Sequence, residues 1–253
     1  GKCPLEGLPG FYGTEDEAET LVILLEDAAA RVEIELFYSI FENYDLITRA
    51  VRVFNQGTDE IRLYQCASVC LDFLRDDMDL LTFNARHLME RCPDRGPLRS
   101  GILSVGSVRG ISSHHHNPFV ILCDHDADED KGMCYGAMLL YSGNFEAAVE
   151  CSQFENSRLV MGIHPYHFCW TLEPGQAFTA PEAAMVCSPD GFGQMSRQYH
   201  RAIREHLLRD PYYGRQKPVL VNNWEATYFD FNADRLIDIA REAAALGIEL
   251  FVM

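Results

Sequence analysis

Between Pro218 and Phe231 the chain reads PVLVNNWEATYFDF, and six of these side chains could do chemistry: Asn222, Asn223, Trp224, Glu225, Tyr228 and Asp230. An amide can orient a neighbour or donate to a hydroxyl. An indole offers an apolar face and a single N–H, and a pair of carboxyl groups is what acid–base work requires. Each also has an ordinary use. An Asn pair at a strand-to-loop corner caps and turns the chain, a Trp packs at a strand end, and a carboxylate beside a site often only fixes hydrogen-bond geometry. Tyr228 and Phe229 read as wall or packing residues rather than ligands.

The elements around this segment decide where those groups point. Val219, Leu220 and Val221 form a short β-prone run, expected to be a buried parallel strand, that opens into polar residues at Asn222 and Asn223. Asn232 is placed to cap a helix whose buried face is Leu236, Ile239, Ala240, Ala243 and Ala244, and Gly247 supplies the stop. Ile248 to Val252 is again strand-like, so the unit is βαβ, which requires parallel strands and a crossover helix. It matches the opening of a (β/α)₈ barrel, in which chemistry sits on loops after the strand C-terminal ends, here Asn222 to Asp230.

Composition narrows the classes. The chain has 253 residues, 47% hydrophobic and 23% charged, as in an ordinary globular protein, and its formal charge of −17 disfavours a nucleic-acid footprint. No membrane partner is expected, since no apolar run approaches about 18 residues. Nine Cys residues lack a CxxC pair or zinc-finger spacing and read as free thiols in a cytoplasmic protein, the odd count arguing against a disulfide framework. The sequence starts at Gly1 without an initiator Met, so an export signal upstream stays open.

From Thr20 to Cys187 short β-prone runs alternate with turns. Val32, Ile34 and Leu36 alternate with Glu33 and Glu35, and Leu46 to Phe54 is expected to form a hairpin with Ile61 to Leu71 through the turn at 55–58. Further runs are Gly101 to Ile111, Phe119 to Cys123, Met133 to Tyr141, Phe145 to Cys151, Leu159 to Ile163, Phe168 to Leu172 and Ala177 to Val186. About ten strands with almost no helix predict a mainly β domain, a large antiparallel sandwich. The acidic run Asp124 to Lys131 reads as a solvated loop; it lacks the calcium-loop pattern. His114, His115 and His116 lie in a strand-like stretch where side chains alternate, so the three are not expected to converge on a metal. After Pro189 the period changes: Met195, Tyr199, Ala202, Ile203, His206 and Leu207 predict a helix closed by Pro211. With DPYYGRQK it reads as a bridge. The expected divisions are a sandwich at 1–188 lacking its first strands, a helical linker at 189–217 and a truncated barrel opening at 218–253.

Seven segments in order carry a family likeness: GFYG at 10–13, YDLITRAVRVFNQG at 44–57, SSHHHNPF at 112–119, YSGNF at 141–145, MSRQYHRAIREHL at 195–207, NNWEATYFDF at 222–231 and LGIELFV at 246–252. Together they resemble the glycoside hydrolase family 36 α-galactosidases across nearly the whole chain. The resemblance implies a β-supersandwich followed by a (β/α)₈ TIM barrel and a C-terminal β domain, no cofactor, and homo-oligomers. It implies hydrolysis, with retention, of terminal α-1,6-linked galactose from α-galactoside oligosaccharides of the melibiose and raffinose type.

Retention needs two carboxyl groups about 5–5.5 Å apart. In the resembling enzymes these are Asp residues on later barrel strands, one in a KWD-type motif, and neither motif occurs here. An Asp-Asp-Gly-Trp segment that binds galactose hydroxyls would follow the second strand, where this sequence reaches Met253. The resemblance therefore puts the nucleophile and the acid/base after Met253, leaves no catalytic residue in these 253 residues and predicts an inactive polypeptide. It removes Glu225 and Asp230 from catalysis and places Trp224 in the galactose subsite, with Asn222 and Asn223 as substrate-binding candidates. Relatives carry SHQHNP, so His114, His116 and Asn117 are the patterned members of their cluster, in either a structural network or the site rim. Asp72, Asp76 and Asp77 resemble the family's LDF segment and read as either an accessory sugar-binding loop or solvated surface.

Overall fold

The structure, a computed structural model, describes residues 1–209 and 214–253 and divides into two compact units, 1–208 and 209–253. The first unit holds β1 (Glu19–Asp27), β2 (Val32–Phe41), β3 (Leu46–Asn55), β4 (Ile61–Leu63), β5 (Ala67–Phe73), β6 (Asp79–Arg86), β7 (Met89–Pro97) and β8 (Gly101–Ser107). It continues with β9 (Phe119–Cys123), β10 (Cys134–Leu139), β11 (Phe145–Cys151), β12 (Ser157–Ile163), β13 (Trp170–Leu172), β14 (Ala177–Thr179), β15 (Ala183–Ser188) and α1 (Gly191–His206). A nine-stranded antiparallel sheet runs β1-β2-β3-β15-β10-β9-β6-β7, with β14 also on β3, and faces a four-stranded sheet ordered β5-β12-β11-β8.

Period-2 alternation explains how this unit holds together. Val120 and Leu122 on β9 turn inward with Ala137 and Leu139 on β10, meeting Phe145, Val149, Leu159 and Met161 of the small sheet in one dry core. Ile121 and Cys123, one residue out of phase, turn to the opposite face and pack beneath α1 with Cys134, Ala184 and Val186. The helix answers with Met195, Tyr199 and Ala202, all buried, and with Ile203 and Leu207 partly so, the face its spacing predicted. Gly136 marks the closest crossing, since a Cβ there would stand 2.8 Å from the Met195 sulfur. The helix thus packs on the sheet within the first unit. Its expected stop at Pro211 lies outside the described residues.

Several expectations are corrected. The Leu46–Phe54 run does not form a hairpin with Ile61–Leu71: β3 already has β2 along one edge and β14 and β15 along the other, so no edge is free. The second run breaks instead into β4, which pairs β13, and β5, which pairs β12. Ala177–Val186 is likewise two strands, interrupted at Pro181, which has no backbone N–H to give. The strands β6 and β7, absent from the expectation, form a hairpin of their own. Glu33 and Glu35 are half-buried like their apolar neighbours rather than forming a wet face.

The strand β1 is anomalous. Leu21, Val22, Ile23, Leu24 and Leu25 point alternately to both faces and all are exposed, because the outermost strand pairs only with β2.

The second unit is a βαβ: β16 (Leu220–Asn222), one turn α2 (Trp224–Thr227), α3 (Ala233–Ala245) and β17 (Leu250–Val252), with β16 and β17 parallel. Asn232 Oδ1 accepts from Arg235 N at 2.9 Å, the expected cap, and Gly247 takes the left-handed conformation at φ 84°. The strands are not buried as expected, because one helix and two strands cannot cover both faces of their own sheet; Leu220 and Val252 stay exposed. Of the expected face of α3, Ala243 is buried, Leu236, Ile239 and Ala240 are half-buried, and Ala244 is exposed.

Candidate functional site

The segment after β16 is shaped by short local bonds. Asn222, the last residue of the strand, accepts at Oδ1 from Trp224 N at 2.9 Å, an Asx-type turn that starts α2. Asn223 is buried, and its Nδ2 donates to Thr227 Oγ1 at 2.8 Å while that hydroxyl donates to the Asn223 carbonyl at 3.0 Å. The pair divides its labour: Asn222 lies at the surface, and Asn223 is consumed inside the turn. Tyr228 then takes a left-handed φ of 48°, which reverses the chain and sets its ring 5.5 Å from that of Trp224. Phe229 meets the same indole edge-on at 5.0 Å. The result is an open aromatic platform with Trp224 at its centre, 43% exposed, a chemistry suited to the apolar face of a ring.

The two carboxylates do not converge. Glu225 is exposed, and the Asp230 side chain is fully exposed, 3.5 Å from Arg235 Nη1. Sequence reasoning missed Arg235. From the first turn of α3 it donates to the carbonyls of Asp230 at 2.7 Å and Ala226 at 3.3 Å, tying the aromatic loop to the helix. Its signal was its place three residues after the capping Asn232. Met253, after which the family likeness expects the catalytic pair, is exposed directly beyond β17. In a parallel pair β16 and β17 end on the same side, so Met253 stands in the order of the fold where Asn223 does, at the first position past a strand C-terminus. It brings an apolar thioether there and no group for acid–base work.

The remaining candidates lie in the first unit at two places. Asp72 on β5 takes a bidentate pair from Arg158 on β12, 2.6 and 3.0 Å, which holds its carboxyl below the usual range. Asp76 is half-buried, and Arg75 beside it bonds Asp77 at 2.6 Å and Asp124 at 2.8 Å. His114 and His115 lie in a turn, not a strand-like stretch: Ser113 adopts φ 61° and reverses the chain before the bridge from His116 to Asn84. His114 is exposed; His115 sits against Arg109, and desolvation with that positive charge lowers its pKa. His116 Nδ1 and Asn117 Oδ1 are buried without a hydrogen-bond partner. Among the described residues, neither Asp72 nor Asp76 shares a hydrogen bond with this turn, and no group of three or more His, Cys, Asp or Glu is arranged to hold a metal. The acidic run is held rather than merely solvated: Arg95 donates to the carbonyls of Asp124, His125 and Ala127 at 2.7–2.9 Å.

Set on this fold, the family likeness can be tested over the whole chain. The family model described as the glycosyl hydrolase family 36 N-terminal domain matches residues 1–173. The chain belongs to glycoside hydrolase family 36. A second family model, described as Melibiase, matches residues 177–253. Along its full length the chain is 46% identical to the bifunctional alpha-galactosidase/sucrose kinase AgaSK of Mediterraneibacter gnavus, covering 27% of that protein. It is 44% identical to alpha-galactosidase AgaA of Geobacillus stearothermophilus, covering 35%. A crystal structure of an AgaA variant in complex with raffinose superposes with a TM-score of 0.94 at 44% identity over 100% of this chain and 35% of that one. The chain therefore spans about a third of the length of these family 36 relatives.

Proposed function

We propose that this chain is the sandwich and barrel-opening portion of a retaining α-galactosidase that releases terminal galactose from melibiose- and raffinose-type oligosaccharides. The half-exposed indole of Trp224 carries this reading, at the C-terminal end of the first parallel strand, the position where barrel loops bind substrate. Its alpha-galactosidase relatives support it. In this reading Trp224 stacks on galactose and Asn222 donates to a hydroxyl, while the interior Asn223 acts by setting the turn. Glu225 and Asp230 are rim groups, and the nucleophile and acid/base belong to barrel strands that follow Met253 in the longer protein.

The same reading makes the enzyme cofactor-free, cytoplasmic and homo-oligomeric. Nine free thiols suit a reducing compartment and carbohydrate metabolism there. The exposed apolar residues of β1 suit coverage by further sandwich strands in the longer protein. Among the described residues no helix is long and apolar enough to cross a membrane.

In the longer polypeptide carrying this chain, Trp224→Ala is expected to lower kcat/KM for melibiose by about tenfold or more, while the 253-residue chain releases no galactose. Unchanged kinetics in the variant would remove Trp224 from the subsite, and turnover by the isolated chain would overturn the placement of the catalytic pair after Met253.

A further inference from the structure

The outer face of the four-stranded sheet carries a charged row set by register: Glu150 on β11 stands opposite Arg158 on β12, which stands opposite Asp72 on β5. Val149, Leu159 and Leu71, each one residue out of phase with them, point into the core, so the row itself faces water. Arg158 commits Nε and Nη2 to Asp72 and keeps Nη1 free. At the end of the row the β11–β12 connection turns through Ser152 to Asn156. The Ser152 hydroxyl donates to Asn156 Oδ1 at 2.6 Å and accepts from Phe154 N at 3.1 Å, and Glu155 takes φ 58°. This bonding leaves the Asn156 amide nitrogen free and holds the Phe154 ring out, 75% exposed. With Leu74, these groups line a groove of about 350 Å³.

An exposed ion pair on a strand row is common and needs no phenyl ring beside it. Here a fixed acid–base fork, two unused donors, an unused carboxylate and an aromatic face border one concavity of ligand size. Anions are disfavoured by Asp72, Glu150 and the overall charge of −17. An apolar protein segment is disfavoured too, since interface centres are depleted of charge. A neutral ring with adjacent hydroxyls satisfies every group: its C–H face rests on the phenyl, and its hydroxyls both donate to carboxylate and accept from guanidinium and amide.

We propose that this groove, formed by Asp72, Arg158, Asn156 and Phe154, is a noncatalytic binding site for a neutral pyranose, built from residues other than those of the Trp224 platform. The test is an amide-resolved NMR titration of the 253-residue chain with methyl α-galactoside and, in parallel, methyl α-glucoside. Saturable shifts clustered at residues 72–74 and 150–158 are expected with at least one glycoside. Phe154→Ala, at an exposed tip, should weaken them about tenfold; Asp72→Asn should weaken them as well, and Trp224→Ala should leave them in place. The proposal is overturned if shifts confine themselves to 222–231, if neither glycoside moves the groove, or if the groove's signals follow protein concentration instead of sugar, which would make it a contact between copies.

Discussion

The two units solve the same problem to different degrees. In the first, two sheets and a helix close around side chains such as Phe145 and Met161 that no water reaches. In the second, one helix lies along two parallel strands whose apolar residues Val219, Leu220 and Val252 remain exposed, and among the described residues only Asn223, Thr227 and Ala243 are buried. The scaffold unit buries an extensive core of its own, whereas the unit bearing the aromatic platform is held by local devices: an Asx turn, a helix cap and the Arg235 clamp. Order around an exposed aromatic platform and stability of the domain that presents it are separate achievements.

The sharpest way to break this contrast is truncation of one core side chain in each unit. Phe145→Ala should cost about 3–5 kcal/mol in the sandwich transition of a urea titration, against about 1 kcal/mol for Leu236→Ala in the βαβ unit. Equal costs would show that the second unit is as tightly packed as the first. Hydrogen exchange offers the same comparison without mutation: amides of 219–252 should exchange well before those of β9 to β12.

Acid should act on the scaffold through Asp79. Its burial pushes the carboxyl up, but hydrogen bonds from Arg95 at 2.6 Å and His125 at 2.7 Å outweigh it, and the net shift is downward. A lowered folded value means stability fully present above about pH 4, the unfolded value, and lost as pH falls through the folded one. The urea midpoint should therefore drop more steeply below pH 4 in the native chain than in Asp79→Asn. Smallest is the cap: Asn232→Ala should cost α3 about 1 kcal/mol, read as lost helicity, with the first unit's transition unchanged.

Thiol chemistry divides along burial. Desolvation raises Cys123 to about 11 and Cys134 to about 12, so at pH 8 both should resist a thiol reagent that labels exposed Cys3 and Cys169. Labelling of all nine at one rate would mean that the sheet beneath α1 is open.

How much of this was legible follows from how local each determinant is. Helix α1, the cap at Asn232 and the βαβ order depend on spacing within a few residues, and they stood in the sequence. The hairpin failed because pairing is competitive: β3 takes partners from residues 32–41 and 177–186, and nothing within 46–71 records that both edges will be occupied. Trp224 was readable as a candidate from its setting. That Asn222 stays at the surface while Asn223 is spent on Thr227 was not, since it turns on which amide faces inward after the strand. Arg158 escaped notice because its partner Asp72 is 86 residues away.

The apolar stretch of β1 is bracketed by Glu19 at one end and Glu26 and Asp27 at the other. Two copies aligning antiparallel along this edge would set Glu19 of each against the acidic end of the other, and like charges placed opposite one another repel. The charges at both ends thus disfavour self-pairing of this edge, a brake on stacking that the strand carries within its own sequence.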